Sequence, residues 1–243
     1  MALTKITGEG VGAIDSLEIT GSSTTTYDAT AVGGQATSGT LTIQNTHNNA
    51  NVFAAIDFNT NNNRVVNRIV SGHGDTTSNG FLAFVTEGSG TPAERMRIGS
   101  DGEVTMPSQP AFLVKPASQQ TNVNGDTNVT VVMDNEIFDV GANFASNTFT
   151  APITGKYFLS FVLYGVALPG TANYLEIAVT TSNRGYVNIQ EPSGSEDVYA
   201  GGTVSCIADM DANDTAFARV TIGGSSSQFD IGTTSTFSGA LIC

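Results

Sequence analysis

The chain has 243 residues, 40% of them hydrophobic and only 13% charged, with 22 Asp and Glu against nine Lys and Arg for a net charge of −13. That length suggests one or two domains, with enough apolar content for a core. The charge argues against nucleic acid, which needs clustered Lys and Arg to neutralise phosphates, and against docking on an anionic membrane; it is better read as keeping a surface of small neutral side chains soluble.

The first 20 residues lack the basic start and apolar run of a signal peptide, and no stretch approaches the ~20 apolar residues of a membrane span. Residues 1–38 are rich in Gly, Ser and Thr, with one short alternating piece at residues 17–20. They read as irregular: either a floppy tail or an arm that orders on a partner.

Residues 39–106 read as strands parted by polar turns. In order these are "TLTIQN", "VFAAIDF", "RVVNRIVS", "GFLAFVT", and "ERMRIGSDGEVTM" as a closing hairpin. Strand alternation sends Met96 and Ile98 to one face and Arg95 and Arg97 to the other. Asp101 and Gly102 are expected to supply the positive-φ turn, with Glu94 and Asp101 beside the arginines. Such arginines mark a wet or subunit-facing side. "MPSQPAFLVKP" then holds three of the seven prolines, which places a boundary at residues 107–110.

Residues 107–243 read as a second all-β unit. Its expected strands are "AFLVKP", "NVTVVMD", "NTFTAP", "GKYFLSFVLYGV", "NYLEIAVTT", "GYVNIQE", "TVSCIADM", "TAFARVTIG" and "STFSGALIC", the strand count of a jelly roll or two-sheet sandwich. In "KYFLSFVLY", Tyr157, Leu159, Phe161 and Leu163 line one face, and Phe158, Val162 and Tyr164 line the other. A monomeric sandwich strand wets one face, so this one is expected to be buried on both, with a subunit interface as the preferred cover over a packed loop.

No catalytic constellation is visible. His47 and His73 sit in polar turns, and there is no nucleophile elbow, phosphate loop or dinucleotide fingerprint. Glycoside cleavage needs a marked carboxylate pair, and none stands out. The chain reads as a non-enzyme without a cofactor. In "DMDAND", Asp209, Asp211 and Asn213 take the first, third and fifth positions of a calcium loop. Asp214 stands where glycine belongs and Val220 where glutamate belongs, so an acidic turn is the stronger reading and a weak calcium site the lesser one. Asn128 and Asn213 each begin a glycosylation pattern, read as chance. Cys206 and Cys243 are read as two free thiols rather than a framework.

Residues 110–243 resemble the globular-head family of complement's first component, a relative of the tumour-necrosis-factor jelly roll. "IFDVGANFASNTFTAPITGKYFLSFVL", "DMDANDTAFARV" and "TSTFSGALI" carry the likeness in order and spacing. Asn213-Asp214 replaces the family's turn glycine, Ala240 replaces a large apolar residue, and no collagen-like stalk precedes. "GFLAFVTEGSGTPAERMRIGSDGEV", "LTIQNT", "AAIDFNT" and the opening "MALTKITGEGVG" resemble segments of bacteriophage fibre and appendage proteins.

The two resemblances imply a homotrimer, with a virion-anchoring arm at 1–38 that meets other virion proteins, a β stem at 39–106 and a jelly-roll knob at 107–243. The trimer interface candidates are Arg95, Arg97, Tyr157, Phe158, Val162 and Tyr164, the arginines reaching carboxylates on neighbouring chains. The implied function is a short tail fibre or adsorption appendage in the virion, binding a host surface glycan or protein. The alternative is a capsid decoration or cement protein or head fibre. A secreted binding module and a depolymerase are the remaining classes.

Overall fold

The computed structural model describes residues 41–47, 49–60, 65–74, 79–192, 197–224 and 228–243. The expected arm at 1–38 lies outside them. Among the described residues every regular element is a strand, and the chain divides into two compact units, Met1–Thr105 and Met106–Cys243.

The first unit is a five-stranded antiparallel sheet in chain order: β1 (Phe53–Asn59), β2 (Val65–His73), β3 (Gly80–Gly88), β4 (Thr91–Ile98) and β5 (Val104–Thr105). Side-chain alternation sorts its residues. Ile56, Ile69, Phe84 and Met96 fall in one row across four strands, and Leu82, Ile98 and Val104 in the next. The opposite face carries the Asp57–Arg68 and Glu94–Arg97 pairs. Ser89 and Gly90, both at positive φ, make the two-residue turn between β3 and β4 that suits strand twist.

Two local expectations change. Gly102 alone takes positive φ in the β4–β5 hairpin; its N–H donates to the Gly99 carbonyl at 3.1 Å, giving a longer loop than a two-residue turn. Strict alternation also fails in "ERMRI". Val85 opposes Glu94 while Phe84 opposes Met96, so Arg95 is an extra residue in a β-bulge. The bulge brings Glu94 and Arg97 to the same side.

"TLTIQN" is not a strand where it is described. Residues 41–47 are exposed and unladdered, since their backbone finds no strand partner among the described residues.

The second unit is a sandwich of two antiparallel sheets. One sheet runs β15 (Val198–Met210), β12 (Gly155–Leu168), β18 (Thr236–Leu241), β6 (Ala111–Lys115), β9 (Asn135–Val140). β17 (Gln228–Ile231) continues beside the far end of β12 and pairs with β7 (Gln120–Asn124). The other sheet runs β10 (Phe144–Ala145), β11 (Thr148–Thr150), β16 (Thr215–Gly223), β13 (Tyr174–Thr181), β14 (Gly185–Gln190), with β8 (Val129–Thr130) also on β16. Strands that follow one another in sequence keep switching sheets, and that alternation is the wound topology of a jelly roll.

The core fills the space between the sheets. Phe112, Tyr157, Leu159, Phe161 and Phe237 descend from the first sheet onto Leu175, Ile177, Val220 and Ile222 of the second, all essentially without solvent contact. Each such side chain stabilises the fold by roughly 1.5–3 kcal/mol.

The expected strand "NVTVVMD" survives only as β8. Beyond it, Val131 and Met133 still point into the core, but their partners change. The Val131 N–H donates to the Ala218 carbonyl, the Val132 N–H to the Gln120 side chain and the Met133 N–H to the Asn147 side chain. At Val132 and Met133 side-chain acceptors replace a ladder.

Candidate interaction surface

The outer face of the β15-β12-β18-β6-β9 sheet is built by strand parity. In β12 the odd residues Tyr157, Leu159, Phe161 and Leu163 face the core. The even residues Phe158, Val162 and Tyr164 face outward and are 44%, 40% and 42% exposed. Cross-strand register extends the pattern. Ile207 and Ala240 flank Phe158, and Thr203 and Thr236 flank Val162. Phe138 flanks Leu113 at the far side.

The Tyr199 ring stacks on Tyr164 with centroids 6.1 Å apart and planes within 11°. Gly232 makes room for Tyr164, since a Cβ there would lie 2.3 Å from the ring. Through the middle runs a hydroxyl stripe, Ser205–Ser160–Ser238, with the Ser160 and Ser205 hydroxyls 2.9 Å apart. Charged groups stay at the ends of this face, as with Lys156 opposite Asp209.

An antiparallel sheet in a monomer normally reads apolar inside and polar outside. This sheet reads apolar inside and apolar or hydroxyl outside, so one chain leaves the face uncovered. That changes the expectation of a strand buried on both sides: within one chain it is buried on one.

The neighbouring edge is treated differently. β14 ends the other sheet and exposes Val187 and Ile189. Its Asn188 side chain donates to the Thr203 carbonyl at 3.2 Å, and its Gln190 side chain donates to the Gly201 carbonyl at 3.0 Å. These amides occupy carbonyls on the free edge of β15, which would otherwise template another strand. The face is open to side-chain packing while part of the strand edge is closed to backbone pairing.

Of the residues expected at an interface, Phe158, Val162 and Tyr164 lie together on this face. Tyr157 does not; it is fully buried, and its hydroxyl donates to the Ile153 carbonyl at 2.8 Å. The odd parity that puts it in the core removes it from any contact between chains. Arg97 finds its carboxylate within its own strand. It donates twice to Glu94, at 2.8 and 2.6 Å, and its guanidinium lies 4.0 Å over the Phe81 ring. The Arg97 hydrogen bonds hold the Glu94 carboxyl below its usual value. Arg95 is the bulge residue.

The calcium candidates do not converge. The Asp214 carboxylate accepts from the Asn183 side chain and the Asp211 N–H, and Asp209 pairs with Arg184 at 2.9 Å. Asn213 holds a positive φ of 76°, the backbone of a tight turn. Among the described residues no group of three or more His, Cys, Asp or Glu is placed to hold a metal ion. Of the glycosylation patterns, the Asn128 side-chain amide oxygen accepts internal bonds from Arg219 and Thr221.

Cys206 and Cys243 are both free. Burial pushes the Cys206 thiol up to about 11, whereas Cys243 is exposed. Since the thiolate is the nucleophile, a rise from 9 to about 11 leaves about a hundredfold less of it near neutral pH. An aromatic disulfide reagent at pH 8 should therefore label one thiol per chain quickly, at Cys243. Cys206 should follow far more slowly, catching up only in denaturant. Equal rates in the folded chain would show that Cys206 is open.

Phe138, Tyr199 and Ile207 were not anticipated. Ile207 and Tyr199 share the parity of Thr203 and Ser205, a readable signal once β15 is extended to Val198. Phe138 was hidden because "NEIFDV" is short and diluted with polar residues.

No protein-family model and no curated protein matches the chain. Among solved structures, the globular domain of zebrafish complement 1qA protein is similar over 55% of this chain and 98% of its own, at 15% identity and a TM-score of 0.40. Murine APRIL is similar over 55% of this chain and 99% of its own, at 9% identity and a TM-score of 0.42.

Proposed function

We propose that this protein is a non-enzymatic structural component of a bacteriophage virion: a short homotrimeric tail fibre or adsorption appendage that binds a host surface glycan or protein. The observation that carries the assembly is the uncovered apolar face around Phe158, Val162 and Tyr164. A face on one sheet and a separate apolar edge at Val187 and Ile189 suit head-to-tail packing, which closes into a ring when the rotation allows. The virion assignment rests on the sequence resemblance of residues 80–104 to phage appendage segments. A rigid trimer presents its weak sites together, and several fibres on one particle raise avidity without strong single contacts. Asn-, Ser- and Thr-rich loops supply donors and acceptors for a glycan.

Sedimentation of the full chain should give about three times its 25.1 kDa mass. Immunogold microscopy of the phage that encodes it, with antibody to residues 106–243, should place gold on the tail or its fibres. Gold over the head would replace this reading with capsid decoration or a head fibre. Unlabelled particles, with antibody verified on native protein, would remove the virion role.

A further inference from the structure

β1 ends the first unit's sheet, with β2 on one side and no strand on the other among the described residues. Along a strand the N–H and C=O groups point alternately to its two sides. The His73 N–H donates to the Val52 carbonyl at 2.9 Å, so the Phe53 carbonyl points away from β2, to the open edge. An open edge templates a strand of another chain, and proteins blunt it with shortness, proline, lysine, a bulge or a covering loop. At the other side of the sheet, β5 is two residues long, and β4 behind it carries Pro92 and the bulge at Arg95. β1 is "FAAIDFN", seven residues with neither proline nor lysine. Its one charge, Asp57, is taken up by Arg68, which donates to it at 2.7 and 3.0 Å.

What β1 has instead is residues 41–47. Leu41 and Ile43 line one shallow groove with Ala54, Ala55 and Ile56. The Asn45 side-chain amide donates to the Phe53 carbonyl at 3.0 Å, and its oxygen accepts the His47 N–H at 3.0 Å. The second bond sets which end of the amide faces β1, since an oxygen held by an N–H leaves the donor for the carbonyl. β15 carries the same device, where Asn188 and Gln190 occupy edge carbonyls.

We infer that residues 41–47 are an autoinhibitory cover, pinned by Asn45, that stops β1 from pairing with β1 of a second copy. A second copy is the partner to be excluded, because two identical edges meet antiparallel about a two-fold axis with no other sequence required. In a ring of copies such an edge contact would join one ring to the next, so the cover confines self-association to side-chain faces. A single chain with β1 uncovered would pair into a dimer.

The test is sedimentation of the full chain over a range of concentrations, with urea unfolding of the same proteins. Asn45→Ala removes the pin. Asn45→Ser keeps an acceptor for His47 but is too short to reach Phe53. Leu41→Ser/Ile43→Ser/Asn45→Ala removes the apolar contact as well. Each should form species at twice the wild-type mass and above, increasing with concentration. Adding Phe53→Lys, a charge that blunts the edge strand, should return each to the wild-type mass.

Mass is read relative to wild type, so the result decides the inference whether wild type is a trimer or a single chain. If no variant, the triple one included, rises above the wild-type mass at any concentration, β1 needs no cover and the inference is wrong. Heavier species that persist with Phe53→Lys, or that accompany a lower urea midpoint, would place the association elsewhere or in unfolded chain and overturn it equally.

Discussion

Replacing Phe112 with alanine should destabilise the second unit by about 3–5 kcal/mol. Phe112 is 1% exposed and sits where three other rings converge. Its centroid lies 4.7 Å from Phe149, 5.3 Å from Phe144 and 5.1 Å from Phe237. Phe149 in turn meets Tyr157 at 5.5 Å. These residues come from β6, β10, β11, β12 and β18, so one ring ties both sheets together. Its removal forfeits the transfer energy and leaves a cavity that strands fixed by ladder hydrogen bonds cannot collapse into.

The neighbouring glycine supports the same reading from the other side. A Cβ at Gly239 would lie 2.7 Å from the Phe112 ring and 2.6 Å from Leu159. Gly239→Ala in wild type should therefore overpack, costing about 1–3 kcal/mol. Placed in the Phe112→Ala background it should cost less, because the gap receives the methyl. Urea unfolding followed by circular dichroism gives the comparison, reading the transition of the second unit. A Phe112→Ala loss below about 1 kcal/mol, or additive effects of the two changes, would show that the core repacks freely around the site.

The fold class was legible because the signal was periodic and local. "KYFLSFVLY" alternates cleanly, and β12 keeps that alternation over 14 residues. Elements were misread where the ladder did not depend on local pattern. Residues 41–46 alternate well but pair with no strand among the described residues. Residues 131–133 alternate equally well, but Val132 and Met133 take side-chain acceptors instead. β7, β9, β10 and β17 are two to six residues long and exist because neighbouring strands offer them an edge. The candidate surface was half legible for a related reason. Parity alone separates Phe158 from Tyr157 once the inner face is known, but nothing local says which parity faces in when both are apolar. At Arg95 the parity itself is broken by an extra residue, and a bulge leaves no mark in "ERMRI".

The second large effect is expected at Glu176. Arg219 on β16 meets Glu176 on β13 and donates at 2.8 Å to the Thr221 hydroxyl. That hydroxyl and Arg219 both donate to the Asn128 side-chain amide oxygen, tying the segment before β8 to the sheet. The side chains of Arg219 and Glu176 are 17% and 21% exposed, so water still screens part of the pair. An exposed pair contributes about 0–1 kcal/mol, whereas orphaning one member of a fully buried pair costs about 3–5 kcal/mol. Glu176→Ala should fall between these limits, at about 1–3 kcal/mol, because Arg219 keeps its neutral oxygen acceptors on Asn128, Thr180 and Thr221 but loses its counter-charge. Glu176→Met combined with Arg219→Met should be less damaging than Glu176→Met alone, since the double change leaves no orphan charge on the sheet. Denaturation of the four proteins at low and high salt decides this. If the double variant is as unstable as the two single losses added together, the pair is acting as two independent packing residues, and its electrostatic coupling contributes nothing to holding the 126–131 segment on β16.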